Sequence, residues 1–299
     1  MTKQFILQWK IEPSAEGTFI RDFLKEKSIS KTALTDIKFK GGQIAVNGQT
    51  VTVRYKLETD DLLVVKFPPE LPSASLQGED ISLHILYEDD YLLVINKRAG
   101  MNTIPSREHP SGSLANALIG HYNKSGIQAT VHIVTRLDRD TSGLVLIAKH
   151  RHIHHLFSQQ QLKNEVERIY EAFAEGVISK QNGMINEPIA RKEDSIIERQ
   201  VHPHGKKAST HYKVINRYET YTHLELSLET GRTHQIRVHL SYIGHPLLGD
   251  ELYGGSKQRI SRQALHCSKI SFIHPFTKER LQFCAPLQED MRILQQNEK

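Results

Sequence analysis

The sequence has few cysteines, with Cys267 and Cys284 the two present in 299 residues. Two thiols cannot build the disulfide framework of a small secreted protein, so they favour a reducing compartment. No apolar run of about 18 residues occurs, which argues against a membrane-spanning helix. The opening stretch MTKQFILQWK lacks the apolar core and small-residue cleavage site of a secretory signal. We therefore expect a cytoplasmic protein that has no membrane partner.

Neither sign of charge dominates the chain, which carries 39 Lys and Arg against 34 Asp and Glu, a net charge of +5. This balance permits a polyanionic partner but does not establish one. Apolar residues make up 38% and charged residues 24%, which is typical of globular proteins and excludes disordered and collagen-like classes. The unusual count is 17 histidines, which raises the question of a metal site.

A linker is predicted at residues 68–80, where Pro, Ser, Gly and acidic residues cluster and apolar periodicity stops. We expect two domains, a small module at residues 1–75 and a larger domain at residues 76–299. The first module is predicted to pack two helices on a small sheet. Its expected elements are an edge strand from Phe5 to Ile11, a helix from Thr18 to Lys27, a helix capped by Ser30 with Leu34, Ile37 and Phe39 as its apolar residues, a hairpin turn at Asn47-Gly48, and a strand from Leu62 to Phe67.

Strand patterns dominate the larger part of the chain and do not alternate regularly with helices. This combination predicts an α+β fold with a mixed or antiparallel sheet. The predicted strands are Tyr91–Asn96, Gly143–Ala148, Tyr170–Ala174, Ser209–Ile215, His223–Leu228, Leu265–Ile273 and Arg280–Cys284, and the predicted helices are Ser113–Tyr122, Ile153–Lys163, His234–Ile243 and Gln288–Leu294.

A charged turn lies between two apolar runs in residues 133–149, IVTRLDRDTSGLVLIAK. Charged groups between buried strands must pair or face a cleft, since an isolated buried charge is costly. Arg136 and Asp138 are therefore candidate site residues, although a salt-bridged hairpin turn in solvent explains the same pattern.

Two further features involve arginine and tyrosine. In residues 229–240, ETGRTHQIRVHL, Arg237 falls within an apolar helical stripe and calls for a carboxylate partner, and Arg232 near a helix start could meet a phosphate. A solvated basic helix explains this pattern equally well. Tyr170 lies on an alternating strand, where tyrosine is more often part of the core than of a site. One aspartate, several arginines and an aromatic ring together suit a nucleotide flipped out of a helix.

These residues resemble the large-subunit ribosomal pseudouridine synthases, the RluA/RluD group. The stretch RLDRDTSGL at 136–144 resembles the active-site signature of that group, and GRTHQIRVHL at 231–240 is similar to its other strong motif. Weaker similarities, in the order of the family, extend the resemblance over about residues 80–290. Residues 1–75, with GQIAVNG at 42–48, resemble the RNA-binding domain first described in ribosomal protein S-four.

The resemblance implies an isomerase that converts uridine in RNA to pseudouridine. Asp138 would be the catalytic carboxylate, and Arg237 would form the ion pair that keeps it charged. Tyr170 would stack on the flipped uracil and assist proton removal from carbon 5. Arg136 would enter the RNA stack, and Arg232 would contact a phosphate. The reaction is redox-neutral, so the resemblance implies no cofactor and no metal.

The sequence departs from the family pattern at two places. Thr135 stands where the family usually has His, and Lys97-Arg98 stands where it has Lys-Pro. We expect the departure at Thr135 to concern the local geometry of this motif and the choice of substrate. Lys97-Arg98 is interpreted either as a phosphate contact or as a solvated pair. The implied partner is RNA, with ribosomal RNA favoured and transfer RNA as the alternative, and we expect a monomer.

Three other hypotheses about function are compatible with parts of the sequence. A binding-only protein would also be basic and bimodular. A glycosidic-bond hydrolase could use Asp138 and Asp140 as a carboxylate pair, but residues two apart in one turn are poorly suited to flank a sugar. A metal enzyme is suggested by the cluster of His150, His152, His154 and His155, yet their spacing lacks the His-Glu-x-x-His form.

Overall fold

The computed structural model describes residues 4–73, 76–127 and 129–296. These residues form two separate β-sheets, a short two-stranded hairpin and helices that pack around them. Helices in this part of the chain are too short or too polar to cross a lipid bilayer. The predicted α+β class with a mixed sheet is confirmed.

A four-stranded antiparallel sheet occupies the first part of the chain, with strand order β1-β4-β2-β3. The predicted first strand does lie at an edge. The predicted helices, cap, hairpin and closing strand are confirmed as well. The elements are β1 (Ile6–Lys10), α1 (Ile20–Glu26), α2 (Lys31–Phe39), β2 (Gln43–Val46), β3 (Gln49–Thr50) and β4 (Leu62–Lys66).

Local side-chain chemistry explains two of these boundaries. The Ser30 hydroxyl accepts a hydrogen bond from the Ala33 backbone N–H at 3.1 Å, which satisfies one free donor at the start of α2. Asn47 and Gly48 have φ angles of 51° and 82°, the left-handed pair that a two-residue hairpin turn needs. Phe39 was predicted as an apolar residue of α2, but it is 71% exposed because it lies at the last position of the helix.

The larger sheet has ten strands and is mixed. Its path is β10-β13-β14-β9-β15-β8-β6-β5, with β16 on β15 and β7 on β8, while β11 and β12 form the separate hairpin. The remaining elements are β5 (Ile85–Glu88), β6 (Leu92–Lys97), α3 (Leu114–Lys124), β7 (His132–Ile133), β8 (Ser142–Ala148), α4 (Arg151–Leu162), β9 (Glu167–Glu175), β10 (Asn182–Ile185), β11 (Ile189–Arg191), β12 (Arg199–Val201), β13 (Thr210–Arg217), β14 (Tyr221–Leu228), α5 (Gln235–Tyr242), β15 (Leu265–Ile273), β16 (Arg280–Cys284) and α6 (Glu289–Gln296).

One parallel pair in the sheet, β8 with β15, gives the fold its mixed character. All seven residues of β8 are buried, as a continuous apolar run predicts. Gly143 in β8 has a φ of 112°, and a Cβ atom built there would lie 2.3 Å from the Cys267 carbonyl oxygen. Because only glycine permits this approach, the first residues of β8 can lie directly against β15.

The first seventy residues contact the rest of the chain directly. The Phe5 ring stacks on the His150 ring at 4.1 Å between centroids, and Arg151 Nη1 lies 2.8 Å from Asp36 Oδ2. Glu70, inside the predicted linker, accepts hydrogen bonds from the side chain of His132 and from the backbone N–H of Arg151. Residues 74 and 75, where the predicted domain boundary falls, lie outside the described residues, and the boundary stays a prediction.

Candidate active site

The turn between β7 and β8 carries Asp138 and is fixed by buried hydroxyl groups. The Thr135 hydroxyl oxygen accepts a hydrogen bond from the Leu146 backbone N–H at 2.9 Å, and the Thr103 hydroxyl donates to the Leu137 carbonyl at 2.6 Å. Thr135, one of the departures from the family pattern, is thus a buried residue that ties the turn to β8. Side chains alternate along this segment, so that buried Leu137 is flanked by exposed Arg136 and partly exposed Asp138.

Lys97 stabilises this turn through hydrogen bonds from its side chain. Its side chain is buried, and Nζ donates hydrogen bonds to the carbonyls of Arg139 at 3.0 Å, Met101 at 2.9 Å and Arg98 at 3.0 Å. Burial lowers the pKa of Lys97 to about 7, although the nearby carboxylates of Asp140 and Asp138 favour the charged form. The interpretation of Lys97 as a phosphate contact or a solvated residue is wrong, because it lies within the protein at the end of β6.

Arg262 supports the next residue of the turn. Its Nη1 donates to the Asp140 carbonyl at 3.0 Å, and Nε and Nη2 contact the two carboxylate oxygens of Asp290 in α6 at 2.6 and 2.9 Å. Two buried basic side chains, those of Lys97 and Arg262, therefore hold the consecutive carbonyls of Arg139 and Asp140. Arg262 was not predicted as a site residue, since nothing in its local pattern indicates a contact 122 residues away.

Arg237 joins Asp138 to a second carboxylate. Nη1 lies 3.2 Å from Asp138 Oδ2, while Nε and Nη2 each donate to Asp250 at 2.7 Å. Burial by itself would lower the pKa of Arg237, but the hydrogen bonds and charges of Asp250 and Asp138 raise it above its usual value. The predicted pair is present, yet the stronger and more buried partner is Asp250. Asp250 was not among the predicted site residues.

Tyr170 lies on β9 with its ring at the cleft wall and is 4% exposed. Arg168 Nη1 donates a hydrogen bond to the Tyr170 hydroxyl oxygen at 3.2 Å. Burial raises the pKa of Tyr170 well above its usual value, although the Arg168 charge opposes this, so the phenol is protonated at neutral pH. Arg168 was not predicted as a site residue. The two-residue period of a strand could have placed it on the same face as Tyr170.

His234 precedes α5 and turns its ring toward Asp138. Its Nε2 lies 3.9 Å from Asp138 Oδ2, and its Nδ1 lies 2.8 Å from the Tyr253 hydroxyl oxygen. The guanidinium of Arg237 lies 4.9 Å from the centroid of the Tyr253 ring. Burial lowers the pKa of His234, against the effect of the Asp138 carboxylate. Asp138, Arg237, His234 and Tyr253 thus form one contact network.

All five predicted site residues line a single cleft of about 840 Å³: Arg136, Asp138, Tyr170, Arg232 and Arg237. This volume falls within the range of sites that hold a small molecule or one nucleotide unit. The rim differs from the floor. Arg136 is exposed and has no hydrogen-bond or ion-pair partner within the described part of the chain, while Arg232 is exposed and donates from Nε to the Lys207 carbonyl at 3.0 Å. Paired charges therefore lie at the floor, and cations available to an anionic ligand lie at the rim.

The histidine cluster that suggested a metal has other partners. His150 faces the Glu70 carboxylate, His152 stacks on Phe67, His154 lies beside the ring of His132, and His155 faces the Gln159 side-chain amide. No group of three His, Cys, Asp or Glu side chains among the residues described here is arranged to hold a metal ion.

Comparisons with known proteins agree on one family. Residues 91–242 match the model for RNA pseudouridylate synthase. The chain is 54% identical over 275 residues to the uncharacterized RNA pseudouridine synthase YjbO of Bacillus subtilis, covering 92% of this chain and 97% of that protein. It is 40% identical over 228 residues to ribosomal large subunit pseudouridine synthase D of Haemophilus influenzae, covering 72% and 70% of the two chains.

A solved structure supports the fold. Human RNA pseudouridylate synthase domain containing 1 superposes with a TM-score of 0.58 at 24% identity, covering 70% of this chain and 85% of that one. At this identity the similarity concerns the fold alone.

Proposed function

Since this chain belongs to the RNA pseudouridylate synthase family and is an RNA pseudouridine synthase, we propose that it acts on large-subunit ribosomal RNA with Asp138 as its catalytic carboxylate. The reaction breaks the bond between uracil N1 and ribose C1′ and forms a bond from C5 to C1′. The hydrogen on C5 leaves as a proton and N1 gains one, so the atoms balance with no redox partner.

The observation that carries the assignment is the position of Asp138 on the cleft floor. Its side chain is 30% exposed, and Arg237 contacts one of its two oxygens, Oδ2. Oδ1 has no hydrogen-bond partner among the described residues and is left for the ribose. An ionised carboxylate in this position can attack the sugar or remove the 2′ proton.

The buried Arg237–Asp250 pair supports the role of Asp138 as an anion. A bidentate contact fixes the plane of the guanidinium, so that Nη1 points at Asp138. The net charge of Asp250, Arg237 and Asp138 together is negative, as a site that stabilises a developing positive sugar requires. We assign Arg237 a positioning role toward Asp138.

Tyr170 supplies a flat surface for the displaced uracil. Stacking of a base on an aromatic ring contributes about 1–3 kcal/mol, which offsets part of the cost of flipping. Since burial raises the pKa of Tyr170 and Arg168 donates to its oxygen, the phenol is a poor base at neutral pH. We therefore assign Tyr170 stacking rather than proton removal from C5.

The RNA contacts are proposed on charge. Arg136 and Arg232 at the rim would meet phosphates beside the flipped nucleotide, with Arg136 entering the gap in the base stack. Large-subunit ribosomal RNA is favoured over transfer RNA because relatives such as that of Haemophilus influenzae are named ribosomal large subunit pseudouridine synthases. Such a substrate places the protein in the cytoplasm, where we propose it acts without a metal or cofactor.

The deciding experiment compares wild type with Asp138→Asn on the same RNA. We expect the variant to lose turnover, measured as tritium release from uridine labelled at carbon 5, and to keep its RNA affinity. Pseudouridine mapping of ribosomal and transfer RNA from a deletion strain identifies the substrate. If the Asp138→Asn protein were active, Asp138 would not be the catalytic carboxylate. Loss of a transfer RNA site alone would overturn the ribosomal assignment, and release of free uracil would indicate hydrolysis.

Residues 1–75 are proposed as an RNA-binding module. The solvent face of α2 carries Lys31 and Lys38, both exposed. Because this part packs against the rest of the chain through Phe5 and Asp36, point substitutions test it better than a deletion. Lys31→Glu with Lys38→Glu should weaken RNA binding and flatten its salt dependence, with the Gln double variant intermediate. Equal affinity in all three proteins would refute the proposal.

A further inference from the structure

The imidazole of His234 lies between Tyr253 and Asp138, and the two ring nitrogens face different partners. Nδ1 is 2.8 Å from the Tyr253 hydroxyl oxygen, and Nε2 is 3.9 Å from Asp138 Oδ2. The side chain is 12% exposed, so solvent contributes little to its hydrogen bonding. Which nitrogen carries the proton therefore decides what the ring offers to Asp138.

The hydrogen bond between Tyr253 and His234 bears on whether Nδ1 of the ring carries a proton. The backbone N–H of Arg199 donates to the Tyr253 hydroxyl oxygen at 3.0 Å. Burial raises the pKa of Tyr253 to about 12, so the phenol keeps its proton at neutral pH. Because the Tyr253 oxygen already accepts from Arg199, its O–H is available to donate to His234, and Nδ1 accepts it in the tautomer whose proton is on Nε2. The ring proton is then on Nε2.

The charge of the Asp138 carboxylate also favours a proton on Nε2 of His234. A lone pair on Nε2 would face a carboxylate oxygen and be repelled, whereas an N–H is attracted. Asp138 and Asp250 favour a charged imidazolium, while burial and the cations Arg237 and Arg199 oppose it, and the balance lowers the pKa of His234. The ring is therefore neutral, with its single proton directed to Asp138.

The backbone holds the ring in this place. His234 has φ 56° and ψ 20°, a left-handed conformation that residues with a side chain seldom adopt and that is often found at functional sites. Gln235 stabilises it, because its Oε1 accepts hydrogen bonds from the Thr230 hydroxyl and the Arg232 N–H, and its Nε2 donates to the Ser209 carbonyl.

We propose that His234 is a positioning residue for Asp138. Its Nε2–H, fixed by the hydroxyl of Tyr253, holds Oδ2 together with Arg237 and leaves Oδ1 as the oxygen that meets the ribose. The assignment of Oδ1 rests on the proposed role of Asp138, whereas the protonation of the ring does not. The gap of 3.9 Å closes when substrate excludes water from the cleft, as catalytic hydrogen bonds commonly tighten in the complex.

The first test reads the ring directly. Two-dimensional ¹⁵N–¹H spectra of protein labelled at histidine distinguish the Nε2–H from the Nδ1–H form, and the signal missing in His234→Gln assigns this residue among the 17 histidines. We expect a neutral Nε2–H pattern at pH 7 in the wild type and a mixture of both forms in Tyr253→Phe. A wild-type ring with its proton on Nδ1, or a charged ring, overturns the proposal whatever the role of Asp138.

The second test uses kinetics under single turnover. Tyr253→Phe should lower the rate of the chemical step about tenfold, as expected for one lost hydrogen bond, and leave RNA affinity unchanged. His234→Gln retains an N–H donor and should keep more activity than His234→Leu at equal melting temperature. The matched control is Tyr242→Phe, a tyrosine on α5 that is 56% exposed. Equal rates for Gln and Leu, or for Tyr253→Phe and wild type, overturn the positioning role, while an active Asp138→Asn would instead overturn the proposed function.

Discussion

The buried pair of Arg237 and Asp250 makes a sharp prediction about Asp250→Asn. Asp250 is 1% exposed and Arg237 8% exposed at their side chains. Breaking a buried pair from one side costs about 3–5 kcal/mol. We expect the lower end, about 3 kcal/mol, because the amide carbonyl of asparagine still accepts one hydrogen bond. Unfolding entropy of roughly 2.1 cal/mol/K per residue then gives a drop in melting temperature of about 5 °C for a chain of this length.

The same substitution should slow the reaction. Without the bidentate contact, the guanidinium of Arg237 is no longer held in the plane that points Nη1 at Asp138. A hydrogen bond to a charged group contributes about 1.5–3 kcal/mol, so the chemical step should slow at least about tenfold. Circular dichroism melts and tritium release at carbon 5 measure the two effects on one preparation.

Two other aspartates separate stability from catalysis. Asp60→Asn breaks the ion pair of Lys10 and Asp60, whose side chains are 73% and 74% exposed, and should leave the melting temperature close to that of the wild type. Asp138→Asn should abolish turnover and shift the melt little, since its carboxylate is partly exposed. If Asp250→Asn has the same melting temperature as Asp60→Asn and keeps wild-type turnover, the reasoning from the buried pair is refuted.

Three further predictions follow from other parts of the structure. Arg136→Gln and Arg232→Gln should each reduce the slope of log affinity against log salt by about 1, whereas Arg292→Gln on α6 should not, as measured by RNA binding at several salt concentrations. Burial and the nearby His155 and His150 lower the pKa of His152 to about 4, below about 6.5 in the unfolded chain. The unfolded chain therefore binds the extra proton first, and about 3 kcal/mol of stability present above pH 6.5 should be lost as pH falls toward 4, a loss that urea titrations should find reduced in His152→Phe. Burial raises the pKa of Cys267 to about 12 while Cys284 is exposed, so a thiol reagent should modify one cysteine in the folded protein and both in guanidinium, and rapid reaction of both would contradict the buried position of Cys267.

Elements that depend on neighbours in sequence were predictable. The Ser30 cap and the Asn47-Gly48 turn were predicted because both rest on chemistry within a few residues. The strands over 265–273 and 280–284 match the observed bounds. Short segments such as β7 and β11, with two and three residues, were not predicted, since such lengths carry too little periodicity to be recognised.

The residues of the candidate site were likewise predictable where a short motif contains them and not where their contacts are distant in sequence. Arg136, Asp138 and Tyr170, together with the motif that holds Arg232 and Arg237, were identified from short stretches of sequence, and the structure brings all five to one cleft. What lies under and around Asp138 was not identifiable. Arg168 could have been found from strand periodicity. Arg262 could not, because its contacts reach across more than 100 residues.

The sequence by itself determined the reaction class, the local elements and the residues that line the cleft. These properties reside in contiguous motifs, and a motif carries its own chemistry wherever the chain places it. Tertiary structure alone decided that Asp250 is the main partner of Arg237, that Lys97 and Arg262 hold consecutive carbonyls, and that Tyr253 faces His234. Those contacts join residues distant in sequence, and their strength comes from burial and from distances of a few ångströms, which only the packed chain defines.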